Sequence, residues 1–263
     1  MIASEMKRFR SVLIVAGEAS GDLHGANLVR EMKALDSSLS FSGVGGSKLE
    51  AEGVRLLARS SEMAVVGITE VFTKIRFILG VFLRLRKMLR KEKPELLILI
   101  DYPDFNLRLA AAAKAAGVRV FYYVSPQVWA WRKGRIRQIR RVVDRMAVIL
   151  PFEKAFYEGR GYAVHFVGHP LLDVVKRTRS RETALTDFGL HDKRPIVALL
   201  PGSREKEVKG LLPVMLGAAI HVKEEYAEAQ FILPLADTVD PQMVDRIICA
   251  YPVSVTVVTG MIY

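Results

Sequence analysis

Two short apolar runs, separated by an alanine-rich segment of helix length, constrain the fold of this chain more than any other feature. The first run ends at Ile100 and is followed by Asp101, and the second leads into residues 125–131. Such runs predict buried strands, and a helix between them predicts that the strands are parallel. Because parallel sheets bind ligands outside the carboxyl ends of their strands, we expect Asp101 and residues 125–131 to face one cleft.

Plainer roles are open for the same side chains. Either Asp101 or Asp104 would cap the helix that begins near Phe105, since aspartate is a preferred residue at helix starts. The two tryptophans of the loop, Trp129 and Trp131, would then cover the core.

The rest of the chain also alternates between strand-length and helix-length segments. Residues 11–16 predict the first strand, and the pattern restarts after a polar connector at residues 176–186 with a strand at 195–200 and a helix at 205–226. We therefore predict an α/β protein of two Rossmann-like, doubly wound parallel-sheet domains, residues 1–175 and 176–263, the second incomplete.

Composition indicates the cellular compartment and the charge of a binding partner. The chain has 263 residues, a formal net charge of +11 and a single cysteine, Cys249, which fits a reducing compartment and is expected to be a small core residue. No apolar run is long enough for a signal peptide or a membrane span, so a cytoplasmic protein is expected. The charge predicts a negative partner: a membrane surface, a nucleic acid or a phosphorylated ligand.

The turn after the first strand carries glycines and polar groups. Gly17, Gly21 and Gly25 do not match the dinucleotide fingerprint, and the chain contains no phosphate loop, so neither NAD nor ATP is favoured and no cofactor is expected. The polar side chains of Glu18, Ser20 and Asp22 are predicted at the carboxyl edge of the sheet, although Ser20 or Asp22 would equally serve as a helix cap.

Residues 70–93 combine a wide apolar stripe with eight basic side chains, and the one acid after Glu70 is Glu92. This composition is typical of a helix that lies on an anionic membrane surface. A core helix with a solvated basic face is the alternative.

A second candidate site follows the strand at 195–200. Gly202 permits close approach, Ser203 is placed to cap the next helix, and Arg204 can bind two phosphate oxygens, which together predict an anion site. A plain helix cap with a surface arginine is the alternative. No metal site is predicted, because His169 has no second ligand at a suitable spacing; His169 contacts a ligand or forms a structural hydrogen bond.

Seven motifs carry a resemblance to a known family. They lie at residues 15–22, 66–71, 100–106, 123–131, 150–153, 167–170 and 200–204. In this order they resemble the lipid-A-disaccharide synthase family. The resemblance implies a GT-B glycosyltransferase of a Gram-negative bacterium, with two domains facing across a cleft. Family members continue past residues 259–261 into a donor loop and a helical region, so we expect the 263-residue chain alone to be inactive.

The resemblance implies a reaction and a place in the cell. The family transfers 2,3-diacylglucosamine from UDP-2,3-diacylglucosamine to 2,3-diacylglucosamine 1-phosphate, forms a β-1,6 linkage and releases UDP. We expect an enzyme that lies peripherally on the inner face of the inner membrane. The number of subunits is left open, a homo-oligomer included.

Roles follow for individual residues. An inverting displacement needs a base for the acceptor hydroxyl, and Asp101 is the candidate. The predicted substrate contacts are Gly17, Glu18, Ser20, Gly21, Asp22, Asn106, Ser125, Gln127, Trp129, Trp131 and His169. The predicted nucleotide-sugar contacts are Gly202, Ser203, Arg204 and Glu207. The predicted membrane contacts are Phe72, Arg76, Phe77, Phe82, Arg84, Arg86 and Lys87.

Two functions of other classes compete with this one. A basic peripheral-membrane or nucleic-acid-binding module without catalysis would explain the charge. Nucleic acid is the weaker form and is not expected as a partner, because the aromatic residues do not interleave with the basic runs. A nicotinamide-dependent oxidoreductase lacks its glycine fingerprint.

Overall fold

The computed structural model describes residues 10–63, 71–130, 134–175 and 179–260. The chain divides into two compact units, with the boundary between Pro170 and Leu171. The expected boundary lay after residue 175, five residues further along the chain. Each unit has a hydrophobic core of its own and is described separately.

The first unit is built on a parallel sheet. Its strands are β1 (Arg10–Ala16), β2 (Leu39–Gly45), β3 (Arg55–Arg59), β4 (Leu96–Ile100), β5 (Arg119–Tyr123), β6 (Arg145–Val148) and β7 (His165–Phe166). All neighbouring strands pair in parallel, in the order β3-β2-β1-β4-β5-β6-β7. The order reverses between β1 and β4, and in sheets of this type the ligand crevice lies at that switch point, outside the carboxyl ends of the strands.

Helices cover both faces of this sheet. They are α1 (Ala19–Leu35), α2 (Ser47–Ala51), α3 (Ser60–Met63), α4 (Val71–Lys91), α5 (Pro103–Ala115), α6 (Arg135–Val142) and α7 (Pro151–Glu158). Alternate residues of β1 enter two different core clusters: Ile14 packs on the face that α1 covers, and Leu13 on the face that α4 and α5 cover. Burial on both faces explains why β1 and β4 are continuously apolar.

The second unit repeats the pattern on a smaller scale. Its elements are α8 (Leu171–Val174), α9 (Arg181–Asp187), β8 (Ile196–Ala198), α10 (Glu205–Glu225), β9 (Gln230–Leu235), α11 (Pro241–Ile248) and β10 (Val255–Thr259). The strands are parallel in the order β10-β9-β8. Val208, Leu212 and Leu216 of α10 are fully buried against this sheet.

The alternating α/β prediction is confirmed, and several local predictions are wrong. The connector at 176–186 includes the start of α9. Cys249 is exposed because it follows α11 at the helix end. β3 and the short helices α2 and α3 were not predicted, because they are too brief to show a periodic pattern.

Candidate active site

The loops after β1 and β4 touch at the switch point of the first unit. A Cβ atom added to Gly17 would lie 2.4 Å from Cγ of Tyr102, so only glycine lets the aromatic ring lie against this turn. Tyr102 immediately follows Asp101, the candidate base. The structure therefore brings the predicted Gly17 turn and Asp101 to the same edge.

The backbone at this edge is strained. Asp101 has φ of 45° and Tyr102 has φ of 46°, and Val124, directly after β5, has φ of 63°. Left-handed geometry is uncommon for residues other than glycine and is an outlier for a β-branched side chain. Each such residue costs about 1–3 kcal/mol and persists only where the surroundings hold it, a condition that clusters at functional sites.

Two buried side chains hold the strained turn by its main-chain oxygens. Nδ2 of Asn106 donates to the carbonyl oxygens of Ile100, at 3.1 Å, and Asp101, at 2.7 Å. The hydroxyl of Tyr122 donates to the same Asp101 oxygen at 2.5 Å. Both side chains are fully buried. Burial raises the pKa of Tyr122 well above its ordinary value, with a smaller contribution from the negative charge of Asp101, so the hydroxyl keeps its proton.

Neither aspartate is the helix cap that the sequence left open. The residue before α5 is Tyr102, in the left-handed conformation, and Asp104 lies in the first turn of the helix, where it pairs with Arg135. The pKa of Tyr102 is raised by burial first, and then by the nearby negative charges of Glu18 and Asp104. Glu18 and Asp104 thus both lie close enough to Tyr102 to act on its phenol.

Asp22 binds the backbone at the start of α2, which follows β2 at the same edge of the sheet. Its Oδ1 accepts hydrogen bonds from the backbone N–H groups of Gly46, at 2.6 Å, and Leu49, at 3.2 Å, and Oδ2 accepts from Lys48 at 3.0 Å. The carboxylate therefore caps α2 rather than α1, whose cap residue Glu18 makes no side-chain capping bond. Ser20 is exposed and does not cap α1 either.

Gly21 is buried where α1 packs on the sheet. An added Cβ atom would lie 3.4 Å from side-chain atoms of Ala16 and Ile100. The residue thus serves close packing between α1 and the two central strands, β1 and β4.

The segment after β5 is anchored to the start of α7. The Ser125 hydroxyl, which is buried, donates to Oε1 of Glu153 at 2.6 Å. Oε2 of the same carboxylate accepts from the backbone N–H groups of Ile149, at 3.1 Å, and Leu150, at 2.9 Å. Beneath this network, burial raises the pKa of Tyr157 to about 12. Ser125 thus fixes the path of its loop.

The remaining predicted side chains of this loop are more accessible. Gln127 is exposed and Trp129 is half-buried, with its ring edge-on to Phe152 at 5.0 Å between centroids. Nε1 of Trp129 is buried and has no hydrogen-bond partner within the described residues. Trp131 lies outside the described residues.

Two histidines meet beside α1. The rings of His24 and His169 are nearly perpendicular, with centroids 6.3 Å apart. His24 is buried, and its Nδ1 has no partner in the part of the chain that the structure describes. Burial is the main cause that lowers the pKa of His24, and the charge of His169 adds to it. No sequence pattern marked His24, because a lone histidine in a helix usually packs in the core.

The second unit forms an oxyanion site that its own glutamate fills. Oε2 of Glu207 accepts from the N–H of Ser203 at 3.3 Å, and its Oε1 accepts from Nη1 of Arg204 at 2.9 Å. Gly202 has φ of 115°, and an added Cβ atom would lie 2.5 Å from Oε2 of Glu207. The hydrogen bond from Arg204 is the main cause that lowers the pKa of Glu207.

Glu207 therefore occupies the position predicted for a phosphate. Ser203 does not cap α10, because the cap residue is Arg204. The carbonyl oxygen of Ser203 accepts a hydrogen bond from the hydroxyl of Thr238 at 2.6 Å. Among the described residues, no group of three or more His, Cys, Asp or Glu side chains is arranged to hold a metal ion.

In α4, the predicted membrane helix, the exposed apolar side chains are largely not the ones predicted to contact the membrane. Phe82 is half-buried and packs edge-on against Phe105 at 5.8 Å between ring centroids. The exposed apolar side chains are Ile75, Phe77, Leu79 and Leu83, which are 53%, 39%, 53% and 50% accessible. The side chain of Phe72 is outside the described part.

Most of the basic residues predicted to contact the membrane are exposed. Arg76, Arg84 and Lys87 are exposed and Arg86 is half-buried. In the described ranges no helix has the length and apolar character needed to cross a membrane.

Comparison with known proteins decides the family. The family model for lipid-A-disaccharide synthetase matches residues 12–259. The chain belongs to this family. A lipid-A-disaccharide synthase of Syntrophus aciditrophicus is 56% identical over 253 residues, and one of Geobacter sulfurreducens is 52% identical over 252. Each match covers 96% of this chain and 66% of the relative, so the chain spans just under two thirds of the length of these synthases.

Solved structures show the fold. UDP-GlcNAc 2-epimerase from Neisseria meningitidis, bound to UDP-GlcNAc, superposes with a TM-score of 0.64 at 14% identity, covering 96% of this chain and 73% of that chain. A glycotransferase of kitacinnamycin gives 0.57 at 14% identity, covering 94% and 70%. The predicted GT-B-type α/β fold is confirmed. At such low identity the likeness carries fold alone.

The Tyr122 hydroxyl provides a test of how the strained turn is held. Tyr122→Phe removes one donor to the Asp101 carbonyl and should lower the free energy of unfolding in urea by about 0.5–1.5 kcal/mol. It should also speed amide hydrogen exchange at residues 101–105. Tyr162→Phe is the control, since it removes a hydroxyl that donates to Val143 at 3.1 Å, remote from the turn. Unchanged exchange at the turn would contradict the assignment.

His24 should make stability depend on pH. Its pKa is lowered in the folded chain, so below about 6.5 the unfolded chain takes up a proton that the folded chain does not. The stability from neutral His24 is therefore complete above that pH and is lost as pH falls through it towards the folded-state pKa. Urea unfolding at pH 7.5 and 5.5 should show a smaller difference for His24→Gln than for wild type. Equal differences would show that His24 is not the titrating group.

Proposed function

We propose that the protein works as an inverting glycosyltransferase that transfers 2,3-diacylglucosamine from UDP-2,3-diacylglucosamine to 2,3-diacylglucosamine 1-phosphate and releases UDP. The family membership supports this reaction, since the matching relatives are named lipid-A-disaccharide synthases. The observation that carries it is the strained turn that presents Asp101 at the switch point of a parallel sheet.

Asp101 is assigned as the general base. Its carboxylate takes the proton of the acceptor hydroxyl as the hydroxyl oxygen bonds to the anomeric carbon of the donor sugar. The bond from that carbon to the diphosphate oxygen breaks, and its electron pair leaves with UDP. A base must lie within hydrogen-bond reach of its proton, and a carbonyl held by Asn106 and Tyr122 supports such a fixed position.

Arg204 and the Gly202–Ser203 turn are assigned to the donor diphosphate. Their donors already bind a carboxylate, which supports their use for another oxyanion. The diphosphate exchanges with Glu207 at these donors, so they are never left unsatisfied. Positive groups fixed at the departing diphosphate stabilise the charge that develops there. Glu207 becomes available for the nucleotide sugar once it is displaced.

The remaining predicted substrate residues divide into three groups. Glu18, Ser20, Gln127, Trp129 and His169 are assigned to the acceptor, and Trp131 stays with them as a prediction from the sequence. Asp22, Asn106 and Ser125 use their polar atoms inside the protein, so we assign them to positioning of the loops. Gly17 and Gly21 give close packing at the same edge.

The first unit is also assigned to the membrane. Both proposed substrates carry acyl chains, and α4 exposes Ile75, Leu79 and Leu83 beside basic residues. Since an amphipathic helix of this kind binds at an anionic interface, we place the protein peripherally on the inner face of the inner membrane. The second unit is assigned to the nucleotide sugar. The alternative, a basic module without catalysis, is not favoured by the family match.

Replacement of Asp101 tests the catalytic assignment. The measurement is UDP release with both lipid substrates, in a chimaera that joins residues 1–259 to the part of the Syntrophus aciditrophicus relative beyond the matched region. Asp101→Asn should lower turnover by about 10²–10⁴ with UDP binding retained, because it removes the base and leaves the diphosphate site intact.

The matched control is Asp104→Asn, three residues away. Asp104 is exposed and pairs with Arg135, so its loss should change turnover only a few-fold. Near-normal turnover of Asp101→Asn would rule out Asp101 as the base.

A further inference from the structure

A groove in the first unit runs between β3 and the carboxyl-terminal half of α4. Its volume is about 360 Å³, and its walls include the basic side chains of Arg55, Arg84, Lys87 and Lys91. We propose that this groove binds the phosphate headgroup of an anionic phospholipid such as phosphatidylglycerol, separately from both sugar substrates. The inference rests on the membrane association proposed above.

The charge of the groove is unbalanced. Four cations face one carboxylate, Glu92. Within the described residues, neither Arg55 nor Lys87 nor Lys91 forms an ion pair, whereas nearby Arg59 pairs with Glu50 at 2.7 Å. A cleft lined by one sign of charge focuses its field and attracts the opposite ion. An anion in the groove would relieve the repulsion among the four cations.

Arg84 is already held in place for such an anion. Its Nη1 donates to the carbonyl oxygen of Leu57 on β3, at 3.3 Å, which spans the groove. The other N–H groups of the guanidinium stay available in a fixed plane. A planar guanidinium binds two phosphate oxygens at once, and less entropy is lost because the side chain is anchored.

The same face of α4 offers an apolar track next to the cations. Spacings of three and four residues place five residues on one side of the helix. They are the track residues Phe77 and Gly80 and the cations Arg84, Lys87 and Lys91. Phe77 is 39% exposed, and a Cβ atom added to Gly80 would meet nothing within 4 Å. This open track begins about 10 Å from Lys87, at 1.5 Å per residue.

An apolar track joined to a cationic groove matches one class of molecule. The phosphate would lie among Arg84, Lys87 and Lys91, and an acyl chain would run over Gly80 and Phe77 towards the exposed apolar half of α4. Leu57 and Met88 give the groove an apolar lining, which a free phosphate or a sugar phosphate does not use. Basic side chains just beyond an apolar helix segment lie at headgroup depth.

Soluble short-chain lipid tests the groove without a membrane. Dihexanoyl-phosphatidylglycerol, below its micelle concentration, is titrated into the 263-residue chain by calorimetry. Arg84→Gln with Lys87→Gln should weaken binding about tenfold or more, because charged hydrogen bonds to the phosphate are lost. The matched control is Arg86→Gln with Arg90→Gln, the same charge change on another face of α4, which should weaken it less than about threefold.

One further ligand and one further variant distinguish the sources of phosphate. Glycerol 3-phosphate should bind more weakly than dihexanoyl-phosphatidylglycerol, and Gly80→Leu should reduce binding of the lipid alone. Equal affinities, or equal losses in the two double variants, would overturn the proposal. Arg55→Gln with Lys91→Gln repeats the test if the first double variant unfolds by circular dichroism.

Vesicles separate this inference from the proposed membrane association. On phosphatidylglycerol vesicles each lost cation should weaken the affinity about fivefold. The affinity of the control variant therefore falls too, and that of the groove variant falls further. Lipid binding in the groove without vesicle binding would refute the membrane association and leave the groove. Vesicle binding with equal losses in both variants would refute the groove and leave the membrane association.

Discussion

One main-chain carbonyl, that of Asp101, accepts hydrogen bonds from two buried side chains, and the carboxyl edge of the first sheet depends on it. Asn106 and Tyr122 reach this oxygen from a helix and from the neighbouring strand. Their bonds offset the cost of two consecutive left-handed residues, Asp101 and Tyr102. The turn places Asp101 at the point where the strand order reverses. Gly17, in the neighbouring loop after β1, packs against the ring of Tyr102.

The second unit also has a turn that is held by hydrogen bonds to a side chain. Its donors, the N–H of Ser203 and the guanidinium of Arg204, bind the carboxylate of Glu207. The carboxylate lies against Gly202, where an added Cβ atom would be 2.5 Å from Oε2 of Glu207. Preorganised donors of this kind need little rearrangement when charge develops on a leaving group. In both units, side-chain hydrogen bonds fix a turn that follows a strand.

The sequence predicted the parts of the fold that repeat and missed the parts that depend on distant partners. The strands around Ile14 and Ile98 were predictable because burial on both faces makes them continuously apolar. Asp22 was not, since its partners at the start of α2 lie more than 20 residues away.

The candidate site was predictable to a similar extent. Asp101, Arg204 and the basic helix were visible from strand ends and composition. The role of Tyr122 was not, because left-handed geometry in a residue other than glycine leaves no mark in the sequence. Glu207 was predicted as a nucleotide-sugar contact, and its bonds to Ser203 and Arg204 were not foreseen. On α4, the periodic pattern marked an apolar stripe but did not separate Phe82, which packs inward, from Leu79 and Leu83, which face outward.

The turnover of Gly17→Ala tests most directly whether the packed turn at Asp101 performs catalysis. The new Cβ atom would lie 2.4 Å from the Tyr102 ring and must move it, whereas Gly21→Ala places its Cβ at a tolerable 3.4 Å from its neighbours. A shift of about 1 Å in a catalytic group costs about 10²-fold in rate. In the completed chimaera, Gly17→Ala should lose about that much UDP release and still bind UDP, while Gly21→Ala stays near wild type. A folded Gly17→Ala protein with normal turnover would contradict the account.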